Sequence, residues 1–424
     1  MRHTTTITAE PDAPPAGTTT GSRHRWVVLG IGVAAQASFS AAFSGIPVTG
    51  PTMQSEYHLS THALGLVLGC IALGIAVSEV GWGVATDKYG ERKILLTGLI
   101  STGLLLALMA AAVVPTSAGV PSTVLLGVAL LVVGILGGSV NGSSGRAVMA
   151  WFKDGQRGFA MSIRQTAIPA GGAIGTALLP WLASTAGFRA VYAVLAAFCL
   201  VSAAATWRWM RQPPEAETTP SATGPVVPVG ASARAVLGDR QVLRLAIASG
   251  LLTVPQFAIL TFAAVFLHDA KGAGIGVAAA TILVVQVGGA AARVWSGRYT
   301  DKHGNRRAYV KFIGVATALA MVVAASLVHA PTVLVAAALA VGGLLANAWH
   351  GVAYTEIATM AGTERAGTAL GLENTTVFAA AFLTPVLLPV LLTASSWGVV
   401  WAVAGLCTLA AVPLTPGAAT KGTS

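Results

Sequence analysis

The stretch Gly83-Val84-Ala85-Thr86-Asp87-Lys88-Tyr89-Gly90-Glu91-Arg92-Lys93 returns in the second half of the chain as Gly297-Arg298-Tyr299-Thr300-Asp301-Lys302-His303-Gly304-Asn305-Arg306-Arg307. Gly, Asp, Lys, Gly and Arg keep the same spacing in both copies. Each copy lies between two long apolar blocks, so each is a short polar turn joining two hydrophobic segments. A repeated turn in a repeated setting means a chain built from two related halves.

Charged residues are 9% of the 424 positions and apolar residues 54%, too few ionic groups to solvate a globular surface of this size. Apolar blocks recur from Trp26 to near Pro413. A hydrocarbon layer of about 30 Å needs roughly 20 helical residues, and without water each block must satisfy its own backbone as a helix. Twelve such spans are predicted, at 26–48, 63–86, 94–115, 121–150, 158–183, 188–209, 241–267, 275–299, 308–328, 332–358, 367–391 and 396–414. The expected fold is therefore an all-α membrane protein with twelve transmembrane helices in two pseudo-symmetric six-helix bundles, 26–209 and 241–414.

Residues 1–25 and 415–424 read as cytoplasmic tails, the first of them disordered. Between the bundles, 210–240 carries Pro213, Pro214, Glu215, Glu217, Pro220, Pro225 and Pro228 and reads as a cytoplasmic linker. A second internal match sets Arg157–Thr166 against Arg365–Thr375, and Cys199 and Cys407 share its offset. With Cys70 they are odd in number and lack CxxC spacing, which implies packing rather than a disulfide framework or a metal site.

The net charge of +10 does not indicate nucleic acid, because its placement follows the membrane. With a cytoplasmic N-terminus, all but five of the 25 Lys and Arg fall on the cytoplasmic side. The exceptions are Arg189 and Lys271 outside and Arg146, Arg164 and Arg293 within spans. That asymmetry predicts a multi-pass protein of an inner (plasma) membrane with both termini cytoplasmic.

In the turns, Gly83 and Gly297 allow close helix contact and Gly90 and Gly304 a tight bend. Asp87 and Asp301 stand where a carboxylate meets neighbouring cations or a helix N-terminus, with Arg92 and Arg306 beside them. Two such turns, in register with a six-plus-six helix count, resemble the signature loops of the major facilitator superfamily over nearly the whole chain. The resemblance implies a secondary transporter working by alternating access, with these loops locking one of its states.

Glu79, Arg164, Arg293 and Glu373 each lie well inside an apolar span, where a charge costs about 2.5–3.5 kcal/mol on insertion scales. Across the repeat Glu79 aligns with Arg293 and Arg164 with Glu373. At about 1.5 Å per residue all four sit roughly 10–12 Å from the cytoplasmic boundary. In the resembled family spans two and eleven, and five and eight, face each other, which would bring the four together. Arg146 and Glu356 are shallower and read as solvated anchors.

Two readings stand for this layer. In one, Arg164 and Arg293 bind a small anion through their guanidinium forks, and Glu79 or Glu373 takes the coupling proton. In the other, the acids and bases neutralise one another as a gate. Arg293-x-x-x-Gly297-x-x-x-Asp301 resembles the eighth helix of monocarboxylate and oxalate carriers, which implies anion contact at Arg293. The run from Arg157 to Gly172 is similar to the fifth helix of cyanate and organic-anion carriers. Gln286, two turns from Arg293 on the same face, extends the polar lining. Gln36 and Gln256 fall on spans that border the central pathway in the family.

His350 could titrate near neutral pH or pack as a hydrogen-bonded histidine. Asn141, Gln165 and Asn374 read as pathway residues or interhelical hydrogen-bond partners. The drug-exporter signatures of the superfamily are absent from spans four and five, yet export of a drug or metabolite stays the alternative to anion transport. The Asp that monocarboxylate carriers place four residues before their arginine is Gly289 here. No P-loop, His-Glu-x-x-His or paired Cys/His set occurs, so no enzyme, cofactor or metal is implied. The expected partners are a small anionic solute, protons and the lipid bilayer.

Overall fold

The computed structural model describes residues 19–211 and 229–417. Its helices are α1 (Thr19–Val48), α2 (Gly50–Glu56), α3 (Thr61–Tyr89), α4 (Glu91–Ala112), α5 (Thr123–Trp151), α6 (Arg157–Trp209) and α7 (Val229–Gly238). They continue as α8 (Arg240–Val265), α9 (Ile275–His303), α10 (Arg306–Ser326), α11 (Thr332–Asn347), α12 (His350–Ala361), α13 (Ala366–Ala394) and α14 (Trp397–Leu414). A π-turn, Phe266–Ala270, extends α8. Side chains close several ends: Ser60 accepts from the Ala63 N–H, Ser122 from Leu125 and Asp239 from Gln241.

Eleven described segments are long and apolar enough to cross a membrane. One of them, α6, counts twice. Its 53 residues would measure about 80 Å as a straight rod, far beyond a 30 Å layer. At Gly187, with φ 71° and ψ 177°, the chain turns, so the expected loop between spans five and six is reduced to one residue. The left-handed φ needs glycine. Twelve crossings result.

Residues 1–18, 212–228 and 418–424, which carry most of the expected tails and linker, lie outside the described residues. Helix α1 begins at Thr19, ahead of the expected start at Trp26, and Arg25 donates to Gln156 at 2.8 Å. Helix α7 occupies the end of the expected linker. The prolines stop at Pro228, and Ala233 and Val236 beyond them are buried.

Within the first half α1 packs along α6. A Cβ at Gly171 or Gly175 would collide with the backbone at Ala37 or Ala41, so these glycines are close-packing positions. Between the halves α3 packs on α13 and α6 on α9, the pairings expected from the resemblance. The seams are glycine-lined in matching fashion. Gly83 faces the backbone of Gly367, and Gly297 faces that of Gly158.

The tenth span is broken. Asn347, the last residue of α11, turns its side-chain amide back onto the carbonyl of Gly343 at 2.8 Å, and the next N–H, that of Ala348, goes to Leu345 three residues back rather than four. Helical bonding lapses over Ala348 and Trp349, and α12 resumes at His350.

Candidate functional site

The two repeated turns do the same work on opposite partners. Asp87, near the end of α3, accepts from the backbone N–H groups of Gly367 (2.8 Å) and Thr368 (2.7 Å) and from the Thr368 hydroxyl (2.6 Å). Asp301, near the end of α9, accepts from the N–H groups of Gly158 (3.0 Å) and Phe159 (2.8 Å). Each acid thus caps the first turn of a helix in the other half, where free N–H groups and the helix dipole favour a negative charge. Gly83 and Gly297, one turn earlier, let the backbones approach closely enough for this.

Cations complete each cap. Arg146 lies 3.2 Å from Asp87 and also pairs with Glu91, while Arg306 lies 3.1 Å from both Asp301 and Asp154. Glu356 pairs with Arg307 at 2.5 Å. Arg146 and Glu356 are therefore not the solvated anchors expected from their depth: their side chains are 18% and 12% exposed and are bound to the turns. Sequence position does not reveal that the turn residues fold back over them. Gly90 (φ 87°) and Gly304 (φ 63°) make those bends. Arg92 instead donates to the Trp207 carbonyl at 2.7 Å, which fastens its turn to the end of α6.

Glu79, Arg164, Arg293 and Glu373 are all buried. Among the described residues no ion pair joins any two of them. Each is solvated instead by neutral groups. Arg164 donates from Nη2 to Gln36 (2.6 Å) and to the Asn141 carbonyl (2.6 Å), and from Nε to Ser144 (3.0 Å). Glu79 accepts from the side chain of the same Asn141. Arg164 and Glu79 therefore share one polar cluster, made by α1, α3, α5 and α6 of the first half.

The second half is organised differently. Arg293 donates from Nη1 to the Gln165 carbonyl, across the seam, at 2.9 Å, and from Nη2 to Asn347 Oδ1 at 2.7 Å. Gln256 donates to the same Asn347 oxygen at 3.1 Å. Arg293 Nε has no partner among the described residues. Glu373 accepts from Ser249 at 2.7 Å through one oxygen, and its other oxygen is unpartnered. Tyr354 donates to Asn374 at 2.6 Å, beside this acid on α13.

The structure thus brings Gln36 and Gln256 to the two arginines and leaves Gln286 half-buried on α9, outside the network. His350 stacks on Trp349 with centroids 3.9 Å apart and touches the Asn347 carbonyl at 3.3 Å. It packs beside the network rather than beside either glutamate. Asn347 was not singled out from sequence, although it is the residue on which Arg293 and Gln256 meet. An Asn ahead of Trp-His-Gly in an otherwise apolar span was the available signal. On the side away from the turns, Phe43 and Phe378 meet edge to face at 5.4 Å and bridge the halves above the charged layer. Aromatics are common in such spans, and nothing in the sequence marks these two.

A separate cavity of about 330 Å³ lies at the turn-bearing end, beside Trp26, Phe159, Arg298, Asp301 and Lys302. It is remote from the charged layer.

The sequence profile of the Major Facilitator Superfamily matches residues 32–381. An uncharacterized MFS-type transporter of Mycobacterium tuberculosis (strain ATCC 25618 / H37Rv) is 32% identical over 94% of this chain and 86% of its own length. A probable sulfoacetate transporter of Cupriavidus necator is 32% identical over 37% of this chain and 34% of its own. The hexuronate transporter of Bacillus subtilis is 22% identical over 41% and 39%. In fold the chain is similar to the proton:xylose symporter XylE (TM-score 0.73, 14% identity, 93% of this chain and 95% of that one). It is also similar to the E. coli fucose:proton symporter FucP (TM-score 0.72, 13% identity, 93% and 98%).

Proposed function

Because the chain belongs to the Major Facilitator Superfamily, and is a multi-pass membrane transporter rather than an enzyme, we propose that it carries a small anion between its two halves by alternating access coupled to protons. The observation that carries this reading is Arg293. It is a buried cation that reaches across the seam, and among the described residues it has no acid partner and one of its N–H groups is unused. A buried charge answered only by neutral dipoles is stabilised further by an anion that enters beside it. The names of two relatives, a sulfoacetate and a hexuronate transporter, point to acidic solutes as well.

The gate reading loses its support because the two acids and two bases do not pair. Glu79 is tied to the Arg164 cluster through Asn141, whereas Glu373 meets only a hydroxyl. Glu373 is therefore the group assigned to the proton. Its occupancy would be coupled to the solute because α13, which carries it, is also the helix capped by Asp87. Alternating access would require both aspartate caps to release together, since each bridges the halves.

Purified protein in liposomes, offered labelled small carboxylates and sulfonates with and without an imposed pH gradient, tests this directly. Accumulation driven by the gradient is expected. No anion flux together with efflux of organic cations would replace the proposal with drug export.

A further inference from the structure

One hydrogen-bonded chain runs from the main-chain carbonyl of Gln165 through the side chains of Arg293, Asn347 and Gln256 across the seam between the halves. All four side chains are buried, and in such surroundings polar atoms normally find partners. Along this chain four do not: Arg293 Nε, both ends of the Gln165 amide, and Gln256 Oε1. They are unlike in kind. Arg293 Nε and Gln165 Nε2 are donors, while Gln165 Oε1 and Gln256 Oε1 are acceptors.

The orientation of the amides follows from their neighbours. Asn347 must direct its NH2 to the Gly343 carbonyl and its oxygen to Arg293, which can only donate. Gln256, meeting that same oxygen, must present its NH2 there and leave its carbonyl oxygen free. For Gln165 the orientation is immaterial, since both ends are unpartnered. Arg293 and the residues bonded to it or to its partner Asn347 therefore offer two unused N–H groups and two unused carbonyl oxygens.

A simple carboxylate answers the donors and leaves both acceptors stranded. An ammonium group would satisfy the acceptors but bring a second positive charge against Arg293. Each hydroxyl satisfies one of them without that repulsion. Building on the anion reading above, we infer that the transported solute is a hydroxylated organic acid, its acid group on Arg293 and Gln165 and an O–H donating to Gln165 or Gln256.

Competition for counterflow by matched three-carbon acids, namely propionate, lactate and glycerate, with glycerol as the uncharged control, tests this on the reconstituted full-length protein. Lactate or glycerate should compete about tenfold better than propionate, the value of one further net hydrogen bond, and glycerol should not compete. Gln165→Met and Gln256→Met, which keep side-chain length, should narrow that preference without abolishing acid binding. Equal competition by propionate and both hydroxy acids overturns the inference and leaves the anion reading intact, as does a preference unchanged in both variants. If no acid competes, the anion reading itself fails.

Discussion

Arg293 and Asn347 meet at 2.7 Å where the tenth span loses its helical bonding, so the buried cation of α9 is held by the last helical residue before the break at Ala348 and Trp349. Asn347 also holds Gln256 and turns back on Gly343. One side chain thus positions the cation, an amide and a helix break.

Asn347→Asp should abolish anion transport, because a carboxylate there pairs with Arg293 and competes with the solute for it. Asn347→Ala removes a charge-assisted hydrogen bond worth about 1.5–3 kcal/mol and should raise KM by at least about tenfold. Initial uptake rates across a concentration series check both. Wild-type uptake in Asn347→Asp would show that Arg293 does not contact the solute.

Glu373→Gln should retain solute counterflow and lose accumulation driven by a pH gradient, since an amide can keep a hydrogen bond to Ser249 but cannot carry a proton. Glu79→Gln should reduce both activities together, as it disturbs the cluster that holds Arg164. Counterflow and gradient-driven uptake measured on the same vesicles separate the two. The reverse pattern would move the proton to Glu79.

Asp87→Asn and Asp301→Asn should each weaken closure at the turn-bearing end, by about 2 kcal/mol for a partly buried carboxylate at a helix N-terminus. Ser162, buried at the seam against Gly297 and Gly351, reports this once changed to Cys in a background lacking Cys70, Cys199 and Cys407. Its labelling by a soluble thiol reagent should rise at least tenfold in either variant. Unchanged labelling would mean that the caps do not govern opening.

Asp154 is the contrasting case. It too pairs with Arg306, but its side chain is 71% exposed against 4% for Asp301. Hydrogen bonding to Arg306 holds its carboxyl below the usual carboxylate range. What this contact contributes is present above that range and lost as pH falls through the lowered value. Solvent screening keeps the contribution to a few tenths of a kcal/mol. Asp154→Asn should therefore leave seam labelling and uptake within about twofold of wild type at neutral pH.

The spans, the repeat and the two turns were legible in the sequence because hydropathy and spacing encode them directly. The turn at Gly187 was not, since an extended loop and a single left-handed glycine leave the same pause in hydropathy. The depth of the four buried charges could be counted from the turns. Asn141 apart, which reads as an interhelical partner, their partners could not, because Ser144, Ser249 and Asn347 reach them from other helices, and sequence separation does not give interhelical rotation. Equal depth left two readings open, pairing of acids with bases as a gate or arginines free for an anion. Each charge is met by neutral dipoles, which also keeps it available.

The central claim is that Arg293 holds the solute. Comparing saturable binding of a labelled hydroxylated carboxylate to purified wild-type protein and to Arg293→Met tests it most directly, with the thermal unfolding of both recorded. Saturable binding to wild type, lost in a variant that unfolds at a similar temperature, is the predicted result; equal affinity in the two proteins would contradict it.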